Sequence, residues 1–529
     1  MDPLPRFNAV CEAMADPDFY PHPVFEIQRR DTHISVVFLT GQWVYKLKKP
    51  LNLGFLDFRE IEERAKFCEQ EVRLNRRLSK GIYLNTVIIA ENEKNVFSLS
   101  ESGNVVEYAV KMKQLPDEAR LGSLLKKNAV SRYDLELLGK KLAAFYLHSK
   151  QNSQIDQYGQ RDMVIFNSEE NFQQIVPFVS QLIDREKWQF ICEVNRSFLY
   201  HHHVLFERRL ENRKIRDGHG DLRTDHIYFF DGIQIIDCIE FNDRFRYGDV
   251  AIDLAFLHMD MELLGYPEES QVILKSYVEH ANDPEIYALI DFYAAYRAIV
   301  RLKVACIRHN ELKKQKLSNS LQVEINTHLN QAYRYTLLFS RPTLWVFSGL
   351  PASGKSSLAQ RLSRILSIMV ISSDAVRKEK DFEPEIVSFD SGKYSKERRQ
   401  RVYAKMLALA QKKLKKGRSV LLDATYSLRR WRQEVVQLAS DMDSNLIFVE
   451  CKCNTDIIRK RLIKRENYTG LSDARIQHLP DIIKNFEPIT ELSKDIHIKI
   501  ETQIAIEQTL YQLLSEAYLC KSAQIETII

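Results

Sequence analysis

Long apolar runs, clustered cysteines and an excess of glycine or proline are all missing from this sequence of 529 residues. Since no uninterrupted apolar stretch reaches about 20 residues, we expect neither a membrane-spanning helix nor a membrane partner. The eight cysteines are scattered, and the one close pair, Cys451 and Cys453, lies in an apolar run that predicts a strand and not a zinc site. With only 17 glycines and 15 prolines, the chain does not have a fibrous or low-complexity composition.

What is present is the composition of an ordinary globular protein, with 45% hydrophobic and 28% charged residues. A chain of this length usually divides into domains, because single cores rarely grow beyond about 250–300 residues. The net charge of +5 is a small basic excess that matters only where it is concentrated. No signal peptide is recognised at the start, and we expect the protein in a reducing cytoplasm.

The most informative segment begins with the apolar run at 344–347 and continues as Gly-Leu-Pro-Ala-Ser-Gly-Lys-Ser at 349–356. This octapeptide matches the pattern G-x-x-x-x-G-K-[ST], and a helix-compatible segment follows it. A strand, a turn with glycines and a helix form a cradle of backbone N–H groups for phosphate. We therefore predict ATP binding, with Lys355 on the β- and γ-phosphates and Ser356 on Mg²⁺; the alternative is an ordinary turn before a helix. The residues predicted to bind the nucleotide are Gly349, Leu350, Pro351, Ala352, Ser353, Gly354, Lys355, Ser356 and Ser357.

Strands are predicted to alternate with helices in the C-terminal half, at 368–372, 419–422, 446–451 and 496–500. This alternation predicts an α/β domain, in which a parallel sheet carries helices on both faces. Asp374 and Asp423 follow two of these strands, and the carboxyl ends of such strands face the ligand crevice. We predict that Asp374 is the base toward an acceptor hydroxyl and that Asp423 organises Mg²⁺. The alternatives are a helix cap for Asp374 and a structural carboxylate for Asp423.

The segments Asp-Ala-Val-Arg at 374–377 and Asp-Ala-Thr at 423–425 resemble the P-loop kinases of the polynucleotide-kinase and zeta-toxin type. The resemblance implies transfer of a γ-phosphate to a hydroxyl acceptor under a lid that bears arginines. Arg461 and Arg465 lie one helical turn apart and are the predicted catalytic lid arginines. A solvated basic helix is the alternative for either residue.

Positive charge is concentrated at 393–432, where fourteen lysines and arginines stand against two acids. The aromatic residues interleaved with them are Tyr394, Tyr403, Tyr426 and Trp431. In this type of kinase the region faces the acceptor, so a phosphorylated or polyanionic acceptor fits. A nucleic-acid end is one such acceptor, although an ordinary solvated helix explains the lysines at 412–416 equally well.

The N-terminal half predicts a small β-rich lobe followed by a larger helical lobe. Period-two patterns predict a hairpin at 33–39 and 43–48, and a helix at 57–78 precedes three further strands. After these strands the pattern is mostly helical to residue 213, and it is helical again at 284–339. We therefore predict two domains, at 1–335 and 340–529.

A second motif lies in the helical lobe, where His219-Gly-Asp221 is followed by Ile-Ile-Asp237 and then by Gly-Asp249. An aspartate on a loop can accept the proton of a hydroxyl, and an aspartate after the next strand can hold the metal that bridges phosphates. These residues resemble the aminoglycoside phosphotransferase branch of the protein-kinase-like fold. The resemblance implies that Asp221 is the catalytic base, that Asp237 is the metal ligand and that Asp249 supports the loop.

The same resemblance extends to the β-rich lobe. It implies that Lys46 is the strand lysine that binds the nucleotide and that Glu71 is its ion-pair partner, with Lys48 as the alternative to Lys46. His226 stands where the family has a metal-binding asparagine, and imidazole suits Mg²⁺ poorly. His226 is retained as the candidate at this metal position, and either Asp225 substitutes for the asparagine or one metal site is lost.

The segments at 45–50, 54–58 and 67–78 resemble a narrower group, bacterial two-domain proteins that fuse an aminoglycoside phosphotransferase-like domain to a P-loop kinase. This resemblance covers nearly the whole chain. It implies two phosphotransferase modules that use ATP and Mg²⁺ and act on hydroxyl-bearing acceptors not identified by the sequence. Two alternatives are a non-enzymatic N-terminal module that senses nucleotide and regulates the P-loop domain, and a nucleic-acid-end kinase.

Overall fold

The computed structural model describes most of the chain, and the described residues are 3–54, 56–312, 319–378, 396–466 and 475–528. The chain forms two compact units of two segments each, which are Met1–Asn167 with His202–Ile273, and Ser168–His201 with Leu274–Ile529. Within the described residues, no helix is long and apolar enough to span a bilayer. The domain boundary between 335 and 340 stays a prediction.

The strands of the described residues are, in chain order, β1 (Gln28–Asp31), β2 (Ser35–Leu39), β3 (Trp43–Lys48), β4 (Tyr83–Glu91), β5 (Phe97–Leu99), β6 (Asn104–Lys113), β7 (Ile215–Asp217), β8 (Ile227–Phe229), β9 (Ile233–Ile235), β10 (Tyr247–Asp249), β11 (Thr343–Ser348), β12 (Met369–Ser372), β13 (Val420–Asp423), β14 (Asn445–Lys452) and β15 (His497–Glu501).

The α-helices of the same residues are α1 (Leu4–Ala13), α2 (Ile61–Asn75), α3 (Leu121–Lys126), α4 (Arg132–His148), α5 (Ser153–Asp156), α6 (Arg161–Ile175), α7 (Arg185–His201), α8 (His203–Glu211), α9 (Val250–Leu263), α10 (Pro267–Ala281), α11 (Ile286–Leu312), α12 (Asn319–Ser340), α13 (Lys355–Leu366), α14 (Ser373–Lys378), α15 (Lys396–Leu414), α16 (Arg429–Asp441), α17 (Thr455–Glu466), α18 (Leu479–Lys484) and α19 (Ile506–Glu526).

The first unit contains an antiparallel sheet with the strand order β1-β2-β3-β6-β4-β5. The predicted hairpin is confirmed, because β2 pairs with β3 and Leu39 lies opposite Val44. Alternation along β3 turns Tyr45 and Leu47 toward the core that includes α1, and it turns Val44 toward the core that includes α2. Lys46 has the same parity as Val44 and therefore faces α2.

Helix α2 is shorter than the helix predicted at 57–78. The Asp57 carboxylate accepts hydrogen bonds from Asn52 and Arg59, and the helix begins only at Ile61. Cys68 and Val72, four residues apart, are buried together against the sheet. Glu71 belongs to the same buried face, so the packing of α2 points a carboxylate at β3.

Two short antiparallel pairs, β7 with β10 and β8 with β9, follow in the first unit and carry the second motif on the loops beside them. This arrangement confirms the predicted kinase-like N-terminal fold, in which a β-rich lobe with one helix on its sheet precedes the loops of the site.

The second unit contains a sheet with the strand order β12-β13-β11-β14-β15, in which all paired strands are parallel. Leu344 and Val346 of β11 face a core shared with α15 and α16, and alternation turns Trp345 to the opposite face, the side of α13 and α19. The α/β fold with helices on both faces of a parallel sheet is therefore confirmed.

The order in which strands are added to the sheet reverses at β11. The chain first adds β12 and β13 on one side of β11 and then adds β14 and β15 on the other side. Ligands bind at such a switch point, beyond the carboxyl ends of the strands. The segment 349–356, called the P-loop below, lies there because it follows β11 directly.

Candidate active sites

The turn after β11 has the conformation that its glycines allow. All six residues of β11 are buried, as expected for a central parallel strand. Gly349 has φ +148°, and a Cβ there would lie 2.6 Å from the carbonyl oxygen of Cys451. Gly354 has φ +98° and directly precedes α13, so the N-terminus of α13 opens toward the turn. The free N–H groups of a helix N-terminus favour an anion such as phosphate.

Lys355 and Ser356 are the first two residues of α13, and Asp423 ends the neighbouring strand β13. Asp423 pairs in register with Phe347 of β11, so its carboxylate lies at the same edge of the sheet as the turn. Within the described residues, the Lys355 ammonium makes only a long hydrogen bond, 3.4 Å to the carbonyl oxygen of Leu350. The predicted nucleotide residues and the predicted metal residues are thus brought together.

Asp423 has the environment that a cation would satisfy. The residue is 6% exposed, and its Oδ1 atom has no hydrogen-bond partner among the described residues. Burial raises the pKa of Asp423, while Lys355 and Ser356 act in the opposite direction. A buried carboxylate oxygen without a partner costs free energy, and a divalent cation would remove that cost.

The residues present therefore fit Mg²⁺. In kinases, one or two protein oxygens usually bind Mg²⁺, and phosphates and water supply the remaining ligands. Ser356 and Asp423 are the protein oxygens at this edge.

Asp374 lies in the first turn of α14 and is partly exposed. The alternative that it caps the helix is wrong, because the Ser372 hydroxyl accepts the hydrogen bond from the N–H of Ala375, at 3.1 Å. The Asp374 carboxylate is 3.3 Å from the guanidinium of Arg377. Ser372, two residues before Asp374, pairs in register with Asp423, so Asp374 follows at the same edge of the sheet, and its charge acts to raise the pKa of Asp423.

The two predicted lid arginines lie on α17. Arg461 donates hydrogen bonds to the carbonyl oxygens of Ala352, at 3.2 Å, and Thr502, at 3.1 Å. Its guanidinium therefore braces the phosphate-binding turn, and the role on the γ-phosphate stays a prediction. The side chain of Arg465 lies outside the described residues.

The basic stretch at 393–432 contains residues with a structural role. Arg432 is fully buried, and its guanidinium binds the Glu491 carboxylate and the carbonyl oxygen of Tyr426. Tyr403 and Trp431 stack in the core with ring centroids 4.1 Å apart. These aromatic side chains are therefore no exposed platform for bases, contrary to what a nucleic-acid surface would require. Tyr394 lies outside the described residues.

The strand lysines and Glu71 come together in the first unit as a buried cluster. Lys46 Nζ donates to Glu71 Oε1, at 2.8 Å, and to Asp237 Oδ1, at 2.6 Å. Lys48 Nζ donates to the other oxygen of Glu71, at 2.8 Å, and to the carboxylate of Glu240. The predicted pair of Lys46 and Glu71 thus forms, and the alternative lysine shares the same glutamate.

Asp221 and Asp237 lie on either side of the His226 ring. The ring nitrogens are 3.6 Å from Asp221 Oδ2 and 3.5 Å from Asp237 Oδ2. Nδ1 donates to the carbonyl oxygen of Asp221, at 2.8 Å, and Nε2 accepts from Arg223, at 3.2 Å. Both ring nitrogens are therefore engaged, so metal ligation by His226 requires Arg223 to move and stays a prediction. The side chain of Asp237 is 43% exposed, and its carboxylate oxygens are ligands of the kind that Mg²⁺ binds.

Charge neighbours set the ionisation of these carboxylates. Burial acts to raise the pKa of Asp237, but the charge and the hydrogen bond of the Lys46 ammonium outweigh it and hold that pKa far below its usual range. Burial is likewise outweighed at Asp221, where the Arg223 guanidinium lowers the pKa. Both carboxylates are therefore ionised near neutral pH, as a base and a metal ligand require.

The loop that carries Asp221 is supported by Asp253, not by Asp249. Asp253 accepts hydrogen bonds from the backbone N–H groups of His219, at 2.6 Å, and Gly220, at 2.9 Å. Asp249 instead forms a buried two-bond ion pair with Arg209. The prediction for Asp249 is wrong because its spacing in the motif does not reveal which of the two aspartates reaches the loop.

Sequence reasoning gave no role to Arg223 or Glu240 and treated Lys48 only as an alternative. A signal existed for Lys48, because residues two apart on a strand share one face. No comparable signal existed for Glu240, whose partner is 192 positions away in the chain.

Comparison with known proteins assigns the chain to a family. It is 32% identical over 480 residues to the uncharacterized protein Rv2004c of Mycobacterium tuberculosis (strain H37Rv), a match that covers 89% of this chain and 91% of the relative. The uncharacterized protein Mb2027c of Mycobacterium bovis matches to the same extent. The protein therefore belongs to the family of these mycobacterial proteins. Residues 344–489 also match the AAA_33 family, described as an AAA domain.

Solved structures with similar segments include kinases. A choline/ethanolamine kinase family protein from Mesorhizobium loti shares 10% identity and a TM-score of 0.39, covering 62% of this chain and 94% of its own. Aminoglycoside 2′-phosphotransferase-IIIa shares 13% identity and a TM-score of 0.36, covering 63% and 98%. A gluconokinase from Sinorhizobium meliloti 1021 shares 17% identity and a TM-score of 0.26, covering 36% and 98%. These TM-scores are low, and the fold assignment rests on the strand order and the site geometry: a kinase-like N-terminal fold and a P-loop kinase domain, the architecture of a phosphotransferase.

Proposed function

We propose that this protein is an ATP-dependent phosphotransferase in which the P-loop module transfers the γ-phosphate to a hydroxyl group of an acceptor. The observation that carries the proposal is the buried Asp423 oxygen without a partner, at the sheet edge where Lys355 and Ser356 begin α13. A carboxylate, a hydroxyl and an ammonium at a helix N-terminus are the groups that a metal-bound triphosphate needs.

The chemistry follows from the side chains around the turn. Asp374 accepts the proton of the acceptor hydroxyl as the bond from that oxygen to the γ-phosphorus forms and the bond from phosphorus to the ADP oxygen breaks. Lys355 holds the β- and γ-phosphates and offsets the charge that develops on them. When bound by Ser356 and Asp423, Mg²⁺ would supply further charge neutralisation on the phosphate oxygens.

An anionic acceptor is supported by the charges near Asp374. Arg377 lies on the same helix turn, 3.3 Å from that carboxylate, and α15, which packs against α14, carries Arg398 and Arg399 in its first turn. A phosphate or carboxylate group on the acceptor would reduce the repulsion among these cations. The core positions of Tyr403 and Trp431 give no support to a nucleic-acid end as the acceptor.

For the N-terminal module we propose a second nucleotide site, in which Lys46, oriented by its ion pair with Glu71, binds the phosphates, Asp237 binds the metal and Asp221 is the base. A second candidate function is a nucleotide-sensing module without catalysis. It is favoured by His226, whose Nε2 atom accepts a hydrogen bond from Arg223 in the place of a metal-binding asparagine.

The test uses the full chain with γ-labelled ATP and a metabolite extract. Lys355→Ala removes a charge-assisted contact worth about 1.5–3 kcal/mol, so transfer of label by the P-loop module should fall by about one to two orders of magnitude. Arg361→Ala is the matched control, because Arg361 lies on the same helix and pairs with Glu507 at the surface. Unchanged labelling in Lys355→Ala would contradict the proposal.

Asp237→Ala tests the N-terminal module in the same assay. Label that disappears only in Asp237→Ala identifies acceptors of that module. Loss of Mg²⁺-dependent ATP binding without any loss of label supports the nucleotide-sensing function instead.

A further inference from the structure

The first unit contains a second buried ion pair beside that of Lys46 and Glu71. The side chain of Lys48 has no exposed surface, and that of Glu240 is 5% exposed. The Lys48 ammonium lies between the carboxylates of Glu71 and Glu240 and 5.4 Å from the centre of the Phe58 ring. Lys48 is therefore enclosed, with its charge committed to two carboxylates.

Two lysines and two glutamates form one chain of ion pairs. Glu71 gives Oε1 to Lys46 and Oε2 to Lys48, so the position of Glu71 is determined by both lysines. Removal of one buried partner leaves its counterpart charged and unpaired, which is strongly destabilising. Intact buried pairs of this kind contribute little net stability, and their best-attested use is to fix one arrangement of the elements they join.

The elements joined here are α2 and the loop after Asp237. Glu240 lies three residues beyond Asp237, and its backbone carbonyl accepts a hydrogen bond from Gln70 of α2, at 2.7 Å. Asn75, also on α2, accepts one from the N–H of Cys238, at 2.9 Å. The ion pair of Lys48 and Glu240 is the charged member of this set of contacts.

We infer that Lys48 and Glu240 are positioning residues of the N-terminal nucleotide site. Their ion pair fixes Glu71 and the loop after Asp237 relative to each other, so that Lys46 and Asp237 can both contact the bound nucleotide. The inference rests on the proposed nucleotide site. Lys48 itself touches no ligand, since its ammonium is enclosed by the two glutamates. It acts through Glu71, whose second oxygen it occupies so that the first remains with Lys46.

The test uses the full chain carrying Lys355→Ala, which weakens binding at the P-loop so that the N-terminal site is measured as the tighter one, and titrates it with MgATP by calorimetry. In this parent, Lys48→Met and Glu240→Gln should each weaken MgATP binding by at least about ten-fold, the effect of one misplaced charge-assisted hydrogen bond. Binding is measured well below the melting temperature of each variant. The double variant should bind more tightly than Lys48→Met alone, because residue 240 is then no longer a buried charge without its partner.

Arg64→Met is the matched control. Arg64 forms an equally buried ion pair with Glu107, at 2.9 Å, which joins α2 to β6 and has no contact with the Asp237 loop among the described residues. Its loss should lower the melting temperature while changing MgATP affinity by less than about three-fold. Equal losses of affinity in Arg64→Met and Lys48→Met would show a purely structural effect and overturn the positioning role.

The outcomes separate the two proposals. A parent that binds no MgATP overturns the nucleotide site and the positioning role with it. A parent that binds, with affinity unchanged by Lys48→Met or by Glu240→Gln, overturns the positioning role alone. If Lys48→Met does not fold, Glu240→Gln and the double variant decide in the same way.

Discussion

Replacing Asp423 by asparagine should make the P-loop module more resistant to heat and, at the same time, remove its response to MgATP. The carboxylate is almost completely buried, one of its oxygens has no partner among the described residues, and burial raises its pKa. Because the folded state favours the protonated form, the ionised carboxylate present at neutral pH reduces the free energy of unfolding. Asparagine has nearly the same shape and carries no charge.

Asparagine leaves a neutral polar group in the same place, so the gain is only the part of the burial cost that belongs to the charge, on the order of 1 kcal/mol. For a module of about 150–250 residues, each kcal/mol shifts the melting temperature by about 2–4 °C, so a rise of about 2–4 °C is expected. The gain should shrink as pH falls toward 3.8, the ordinary pKa of aspartate, because the carboxylate then becomes neutral as well. MgATP at 100 times its dissociation constant would stabilise the unmodified protein by about 2.7 kcal/mol, and the variant should lose most of this.

Scanning calorimetry of the full chain measures both effects on the transition whose MgATP response disappears in Lys355→Ala. Asp443→Asn is the control, since Asp443 is 90% exposed and its pair with Arg341 lies at the surface, where a change within about 0.5 kcal/mol is expected. A lower melting temperature for Asp423→Asn, or an intact MgATP response, would refute the reasoning.

Three further predictions concern the two sites. Asp374→Asn should keep its melting temperature and ATP affinity while single-turnover transfer to the labelled acceptors falls by about 10²-fold or more; near-normal transfer would rule out a base. His226→Asn should preserve or raise Mg²⁺-dependent ATP turnover by the N-terminal site, measured in the Lys355→Ala chain, whereas reduced turnover would mean that the histidine is itself required. Burial lowers the pKa of His219 from 6.5 to about 4, so the unfolded chain takes up a proton first and stability should fall by up to about 1.4 kcal/mol per unit as pH drops from 6.5 to 4. Denaturant unfolding should show a shallower pH dependence in His219→Asn, and an unchanged slope would contradict this assignment.

The local sequence pattern was sufficient to predict the strands and the phosphate-binding turn of the P-loop module. Its strands lie within one or two residues of their predicted positions, because a continuous apolar run bounded by polar turns marks a buried parallel strand wherever the strand falls in the sheet. The turn at 349–356 could be predicted because glycines at fixed spacing are needed by the backbone itself, independently of distant residues. The roles proposed for Asp374 and Asp423 also came from their place after these strands, although the cap at Ser372 became visible only in the structure.

In the N-terminal half, the sequence by itself determined the hairpin, the helix that carries Glu71 and the motif residues Asp221 and Asp237. Only the tertiary structure decided how their charges are paired. The exchange of Asp253 for Asp249 as loop support, and the sharing of Glu71 by two lysines, depend on contacts between residues far apart in the chain. Composition and spacing indicate which side chains a helix or strand presents on each face. The partner of a buried charge depends instead on how separate elements pack. Because a buried charge without a partner is strongly destabilising, the packing decides which ion pairs form.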